Sequence, residues 1–240
     1  MKLKHGILSS LVGLSALSAQ AATVDVKITN LTAGSYITPM AVVGHPSSIQ
    51  LFNVGEAASP QIAEMAEGGS LNGLVALADS LDTVNAVAAV PEGAEDPAPL
   101  PPGMTAIVTD FDTGAEGDSL SIVGMLLPTN DGFAGLNTWA IPSTPGTYMV
   151  YLNGYDAGTE VNDELFTGEG GALGVPGMPA QGLVNGDSGG TGLTDTETNM
   201  TVHIHPGVIG DDDPTGGVSD INNTVHRWLN PVARAIITVK

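Results

Sequence analysis

Thr23–Thr29 reads TVDVKIT, and its alternation sets the fold class. Val24, Val26 and Ile28 recur at every second position, with Asp25 and Lys27 between them. A period of two puts the apolar side chains on one face of a strand and the charges on the other. The same signal returns along the chain. MTAIVTDF (104–111) leads into a Gly-rich turn, and GTYMVYLNGY (146–155) is rich in Val and Tyr after Pro145-Gly146. NMTVHIH (199–205) alternates Met200, Val202 and Ile204 against Thr201, His203 and His205, and PVARAIITVK (231–240) closes the chain. SLSIVGMLL (119–127) is apolar almost throughout and reads as a more deeply buried strand. Short strands separated by Gly, Pro and Asp clusters predict an all-β fold, an antiparallel β-sandwich.

Two stretches break the pattern. SPQIAEMAE (59–67) offers Ser59 as N-cap, Pro60 at the first helical position and Gly68 as terminator. In GSLNGLVALADSLDTV (69–84), Leu71, Leu74, Val75, Ala78 and Leu81 recur at helical spacing, and Leu77 widens the stripe. The sheet protein therefore carries a small helical insert. VPEGAEDPAPLPPG (90–103) is Pro-rich and reads as extended, and residues 167–199 form a long Gly-rich loop. No internal repeat or second domain is visible.

The N-terminus has the form of a secretory signal. Lys2 and Lys4 precede an apolar run from Ile7 to Leu17, and Ala19-Gln20-Ala21 is a small-x-small site, so cleavage is expected after Ala21. That leaves residues 22–240 as one exported domain. The apolar run is too short to span a bilayer, and no later segment does so. The chain has no Cys, which excludes a disulfide-stapled scaffold and a lipid anchor on a cysteine. Without Lys2 and Lys4, 4 Lys plus Arg stand against 26 Asp plus Glu, a net charge of -22. Such a surface repels phosphate backbones and excludes nucleic-acid binding.

The acid is unevenly spread. YDAGTEVNDE (155–164) crowds Asp156, Glu160, Asn162, Asp163 and Glu164 into one connection, and LLPTNDGFAGLNTW (126–139) places Asn130 and Asp131 just after a strand. Calcium takes about six to eight oxygen ligands, and two loops at one end of a sandwich could supply them. Asp131, Asp156 and Glu160 are the candidate ligands, with Asn130, Asn162 and Asp163 as further donors. Composition alone leaves the alternative of a solvated acidic loop open.

Three other motifs compete. DDDPTGGVSDIN (211–222) puts Asp211, Asp213 and Thr215 at positions one, three and five of a calcium-loop pattern with Gly216 at six. Position twelve, however, is Asn222 where a Glu is expected. His203 and His205, with His226, could bind zinc or copper. GDSGG (186–190) matches the nucleophile string of chymotrypsin-like proteases, with Ser188 as nucleophile and His45 in the right chain order. The surroundings of His45, VVGHPSS, do not match those enzymes.

Several of these segments together, in order, resemble the spondin domain of F-spondin and mindin, and more closely its bacterial members. They are VDVKITNLTAGSYITPMAVVGH, LFNVGEAAS, IAEMAEGG, LLPTNDGFAGLNTW, YDAGTEVNDE and the C-terminal HIHPGV…SDINNTVHRWLNPVARAIITV. The resemblance spans roughly Val24 to Val239. It implies an antiparallel sandwich of the calcium-dependent lipid-binding type with calcium at one end. The family's Asp in its P-x-x-D-x-F turn matches Asp131, and its D-A-G-T-[DE] motif matches Asp156 to Glu160. It also implies adhesion at a cell surface or in an extracellular matrix, through a protein or glycan partner. The chain departs from animal members in lacking Cys and in its Gly-rich loop and GDDDPTG insert.

Overall fold

The computed structural model of the chain describes residues 21–166, 183, 188–193 and 199–240. The signal-like segment before Ala21 and most of the Gly-rich stretch 167–199 lie outside these residues.

The fold is an all-β antiparallel one. Eleven strands form a single sheet: β1 (Thr23–Asn30), β2 (Tyr36–Ile37), β3 (Ala41–His45), β4 (Asn85–Ala88), β5 (Val90–Pro91), β6 (Thr105–Asp112), β7 (Ser119–Leu127), β8 (Gly132–Ala140), β9 (Gly146–Asp156), β10 (His203–Ile204) and β11 (Ala233–Val239). Their order is β4-β3-β7-β8-β9-β11-β1-β6-β5, with β2 on β7 and β10 on β9. The sheet curls until β4 comes close to β6, so it is nearly a barrel.

One strand joins its two layers. The first half of β9, Gly146–Leu152, pairs with β11 from Val239 back to Ala233, and β11 pairs in turn with β1. The second half, Asn153–Asp156, pairs with β8 from Gly135 back to Gly132. The β8–β9 hairpin is thus zipped at its far end and splayed near its turn. Leu136–Ala140 stays with β7 while Gly146–Leu152 leaves for β11. Trp139 and Tyr148 fill the mouth of the splay, with ring centroids 5.9 Å apart.

Burial follows the predicted faces. Val24, Val26 and Ile28 of β1 and Ala233, Ala235, Ile237 and Val239 of β11 point into a core between the layers. β7 is buried on both sides, which is why its sequence does not alternate. Leu120, Ile122 and Leu126 face that central core, whereas Val123, Met125 and Leu127 face a second one under the helices. There α1 (Pro60–Gly68) presents Ile62, Met65 and Ala66, and α2 (Asn72–Asp79) presents Leu74 and Ala78. Truncating a fully buried aliphatic such as Ile62 to Ala costs about 2–5 kcal/mol. A third helix, α3, is the short turn Asn223–His226.

The start of α1 is as expected: the Ser59 side chain accepts from the Ile62 N–H, and Pro60 opens the helix. Its end is one residue later, since Gly69, at φ 68°, takes the left-handed position rather than Gly68. α2 is shorter than its apolar stripe, and Val75 stays exposed.

The segment NMTVHIH needs correcting. Only His203–Ile204 is strand, and its faces do not alternate through: Val202 and His205 are buried, whereas Met200 and Ile204 are exposed. The backbone explains this. Val202 is clamped to another loop by Val202 N–H to Glu56 O and Gly55 N–H to Val202 O, both 2.8 Å. His205 N–H instead reaches Gly154 O on β9. The chain changes neighbours within three residues and turns its side chains as it does.

Candidate metal centre

The turn from β7 to β8 aims Asp131 inward. The Thr129 hydroxyl donates to Leu126 O (2.6 Å) and accepts from Gly132 N–H (3.0 Å), closing the turn on itself. A Cβ at Gly132 would lie 2.6 Å from that hydroxyl, so the turn requires glycine. Asp131 ends fully buried. Gly132 is the register partner of Asp156 at the end of β9, so the two carboxylates come from neighbouring strand ends.

The connection after β9 wraps round them. Gly158 turns it with φ 69°, and a Cβ there would lie 2.6 Å from Thr201 N, so conformation and close approach both demand glycine. The turn delivers two backbone N–H groups to one oxygen: Thr159 N–H (2.7 Å) and Glu160 N–H (3.0 Å) donate to Asp131 Oδ2, which the Thr159 hydroxyl also reaches at 3.2 Å. Asp131 Oδ1, equally buried, has no hydrogen-bond partner. Asp156 Oδ1 accepts from Gly158 N–H and Oδ2 from Asn162 Nδ2, both at 2.7 Å. His203 Nε2 lies 3.8 Å from Asp156 Oδ2. Glu160 lines a small cavity of about 70 Å³ together with Asp156, Thr159, Asn199 and Met200.

Electrostatics set this pair apart. Burial pushes the Asp131 carboxyl above the ordinary Asp range, and the hydrogen bonds from Thr159 and Glu160 offset that only in part. Burial, and then the charge of Asp131 itself, push Asp156 up to about 6, against the opposing pull of Asn162, Gly158 and His203. Desolvation of two neighbouring carboxylates favours their protonated forms or a positive charge close by.

Of the remaining candidate donors, Asn162 binds Asp156 directly. Asn130 and Asp163 brace each other, with Asn130 Nδ2 donating to Asp163 Oδ1 at 3.1 Å. Asp211 and Asp213 serve their own loop. Asp211 accepts the N–H groups of Asp213, Val218 and Ser219, and Asp213 accepts that of Thr215. Those backbone hydrogen bonds hold Asp211 below the usual carboxylate range.

The histidines part company. His203 belongs to the Asp156 cluster. His205 is buried against Trp228 at 5.1 Å, and burial pushes it down to about 3. Its Nδ1 accepts Gly207 N–H, which makes it the neutral Nε2–H tautomer. His226 contacts Asn222 O from α3. Among the described residues, no three His, Asp or Glu side chains already converge as a ready-made ion cage.

Ser188 has a carboxylate partner and, among the described residues, no histidine partner. Its hydroxyl lies 3.0 Å from Asp220 Oδ1, which also accepts the N–H groups of Ser188 and Gly190. The His45 ring is buried between Pro46 O (2.9 Å) and the Ser121 hydroxyl (2.8 Å). The serine-protease arrangement is therefore not assembled from these residues.

Two carboxylates that the sequence did not single out for a role prove to be loop anchors. Glu164 accepts Ile209 N–H, Gly210 N–H and the Ser219 hydroxyl. Asp220 accepts Phe166 N–H besides the Ser188 group. The sequence signal for both is weak, because their partners, mostly backbone groups, lie far along the chain.

Comparison with protein-family models gives no match for this chain, and comparison with curated proteins gives none either.

Proposed function

We propose that the protein is an exported calcium-binding β-sandwich module of the spondin type, acting in adhesion at the cell surface or in the extracellular matrix. The observation that carries the calcium reading is the buried Asp131 Oδ1, without a hydrogen-bond partner, beside an Asp156 whose carboxyl is pushed up to about 6. The donor chemistry fits a hard cation: carboxylates and amide oxygen, with no thiol in the chain. Asp131 Oδ1, Asp156 and Glu160 would hold the ion, with Asn162 in support and water or backbone carbonyls completing the shell. Bound calcium would supply a fixed positive charge to the two carboxylates. The protein's own part is to hold the β7–β8 turn and the 156–164 connection in register, through the three donors on Asp131 Oδ2.

The adhesion reading rests on the motif resemblance and on the signal-like N-terminus. It takes an extracellular protein or glycan as partner. The acidic surface supports export into a calcium-rich medium, where modules of this kind bind with dissociation constants of about 10⁻⁴ to 10⁻³ M.

The test is thermal unfolding with calcium, magnesium or sodium at matched ionic strength, beside calorimetric titration. At about 100-fold excess over the dissociation constant, mass action adds roughly 2.7 kcal/mol. That raises the melting temperature by about 5–11 °C for a domain of this size. Magnesium does less, since it demands a smaller octahedral shell. Equal shifts from both ions, in wild type and in Asp156→Asn alike, would sink the calcium site.

A further inference from the structure

The open side of the β8–β9 hairpin poses a question of its own, independent of the ion site. Gly146–Leu152 pairs with β11 along one edge only. Among the described residues no strand pairs with its other edge, because Leu136–Ala140 remains with β7. An edge strand with free N–H and C=O groups is a template for another strand, and proteins usually blunt such edges with Lys, inward charges, bulges or Pro. Here none of those devices is present within the segment. Pro145 stands just before it, and the β9–β11 register runs unbroken from Gly146 to Leu152. No Asp, Glu, Lys, Arg or His occurs anywhere between Asp131 and Asp156. Met149 and Tyr151 stand out on the strand's solvent face, 57% and 51% exposed.

We infer that this free edge of β9 is where a second copy of the chain docks, strand to strand and antiparallel, about a two-fold axis. The argument for a second copy is electrostatic and geometric. The chain carries a net charge of -20, so two copies repel each other over most of their surface. The uncharged hairpin is a surface on which they can meet without placing like charges opposite one another. It carries no charge that would select an acidic or a basic partner. An antiparallel strand is also self-complementary about a two-fold axis, so one patch satisfies both partners. Pairing there continues β11-β9 into the partner's β9-β11 and satisfies the free backbone groups of both copies.

The test is sedimentation of the exported chain from roughly 1 to 200 µM at about 0.15 M salt, where long-range repulsion is screened. Wild type is expected to pass from monomer to dimer within that range. Hydrogen exchange of the 146–152 amides should slow as the dimer forms. The double variant Met149→Glu/Tyr151→Glu, at two exposed positions, is expected to keep the melting temperature of the wild-type monomer, read at the lowest concentration. It should lose association by more than about tenfold, because like charges then face each other across the new ladder. Thr109→Glu, on the exposed face of β6, should dimerise as wild type does. A wild type that stays monomeric throughout overturns the proposal. So does a dimer whose 146–152 amides exchange as in the monomer, or one that survives the double substitution.

Discussion

Two acidic loops of this protein look alike in sequence and are opposites in physics. Around Asp211 and Asp220, every carboxylate contact in view is an N–H or O–H donor from the same group of loops. Burial works against the charge of Asp220, but hydrogen bonds from Gly190, Phe166 and Ser188 outweigh it and hold the group below its ordinary range. Around Asp131 and Asp156, burial wins and both carboxyls rise. In the first loop backbone donors stabilise the charged carboxylates, and in the second desolvation outweighs the donors. The position-one, -three and -five spacing of Asp211, Asp213 and Thr215 coincides with Asx-type bonds to the loop's own backbone.

The largest effect expected from this contrast is at Asp220. Asp220→Ala strands the N–H groups of Phe166, Ser188 and Gly190 and should cost about 3–5 kcal/mol in chemical denaturation, with or without calcium. If the loss disappears when calcium is added, the two loops are not separate systems.

The second prediction inverts that pattern. Asp131→Asn keeps an oxygen for Thr159 and Glu160 but removes a charge, so in chelator its melting temperature should equal or exceed wild type. In calcium it should forgo the rise of about 5–11 °C. A variant that is equally destabilised under both conditions would make Asp131 a structural anchor like Asp220.

A third concerns acid. The folded pKa of Asp156, about 6, lies above its ordinary 3.8. Without calcium the folded state therefore holds its proton more tightly than the unfolded chain, and this group's contribution to stability falls as pH rises from about 4 to about 6. The full span is on the order of 3 kcal/mol. His205 pulls the other way: it is held neutral with a pKa of about 3, so its contribution falls as pH drops below about 6.5. The quantity to measure is therefore the difference between wild type and Asp156→Asn across this window. The wild-type disadvantage should grow with pH in chelator and vanish in calcium. A flat difference in chelator would refute the assignment.

The smallest effect is at Asp213, whose Thr215 contacts an amide oxygen can replace. Asp213→Asn should leave the melting temperature within about 1–2 °C and the calcium response intact. A lost calcium response would move the ion to the 211–222 loop.

The outlines of this comparison were legible only in part. The alternation in β1 and β11, the two-sided burial of β7 and the Ser59-Pro60 helix start follow from local pattern. The meeting of Asp131 with Asp156 does not: Asp131 immediately precedes β8 and Asp156 ends β9, and the β8–β9 register is what makes them neighbours. β8 was hidden because its glycines do work that hydrophobic patterning cannot show. A Cβ at Gly135 would lie 2.9 Å from the rings of Phe52 and Tyr155, which cluster with Phe133 at centroid distances of 5.1 and 5.6 Å. The turn of faces between Val202 and His205 was hidden because Glu56 and Gly154, distant in sequence, dictate it. Which acidic loop would gather backbone donors was also hidden. That depends on N–H donors such as Phe166 and Ser219, which only the fold brings within reach.

The register of β1, β11 and β9 also fixes how the molecule would stand on a support. Val24 pairs with Val239, and Val239 pairs with Gly146, so both ends of the domain emerge beside the start of β9. Asp156 is at the other end of that strand, some 30 Å away at about 3.3 Å per residue. A tether at either terminus, whether a fused domain, an affinity tag or an immobilised bead, leaves the carboxylate end pointing outward into the medium. Surface plasmon resonance with the chain captured by its C-terminus would therefore present that end unobstructed, and capture through the 156–164 connection would hide it.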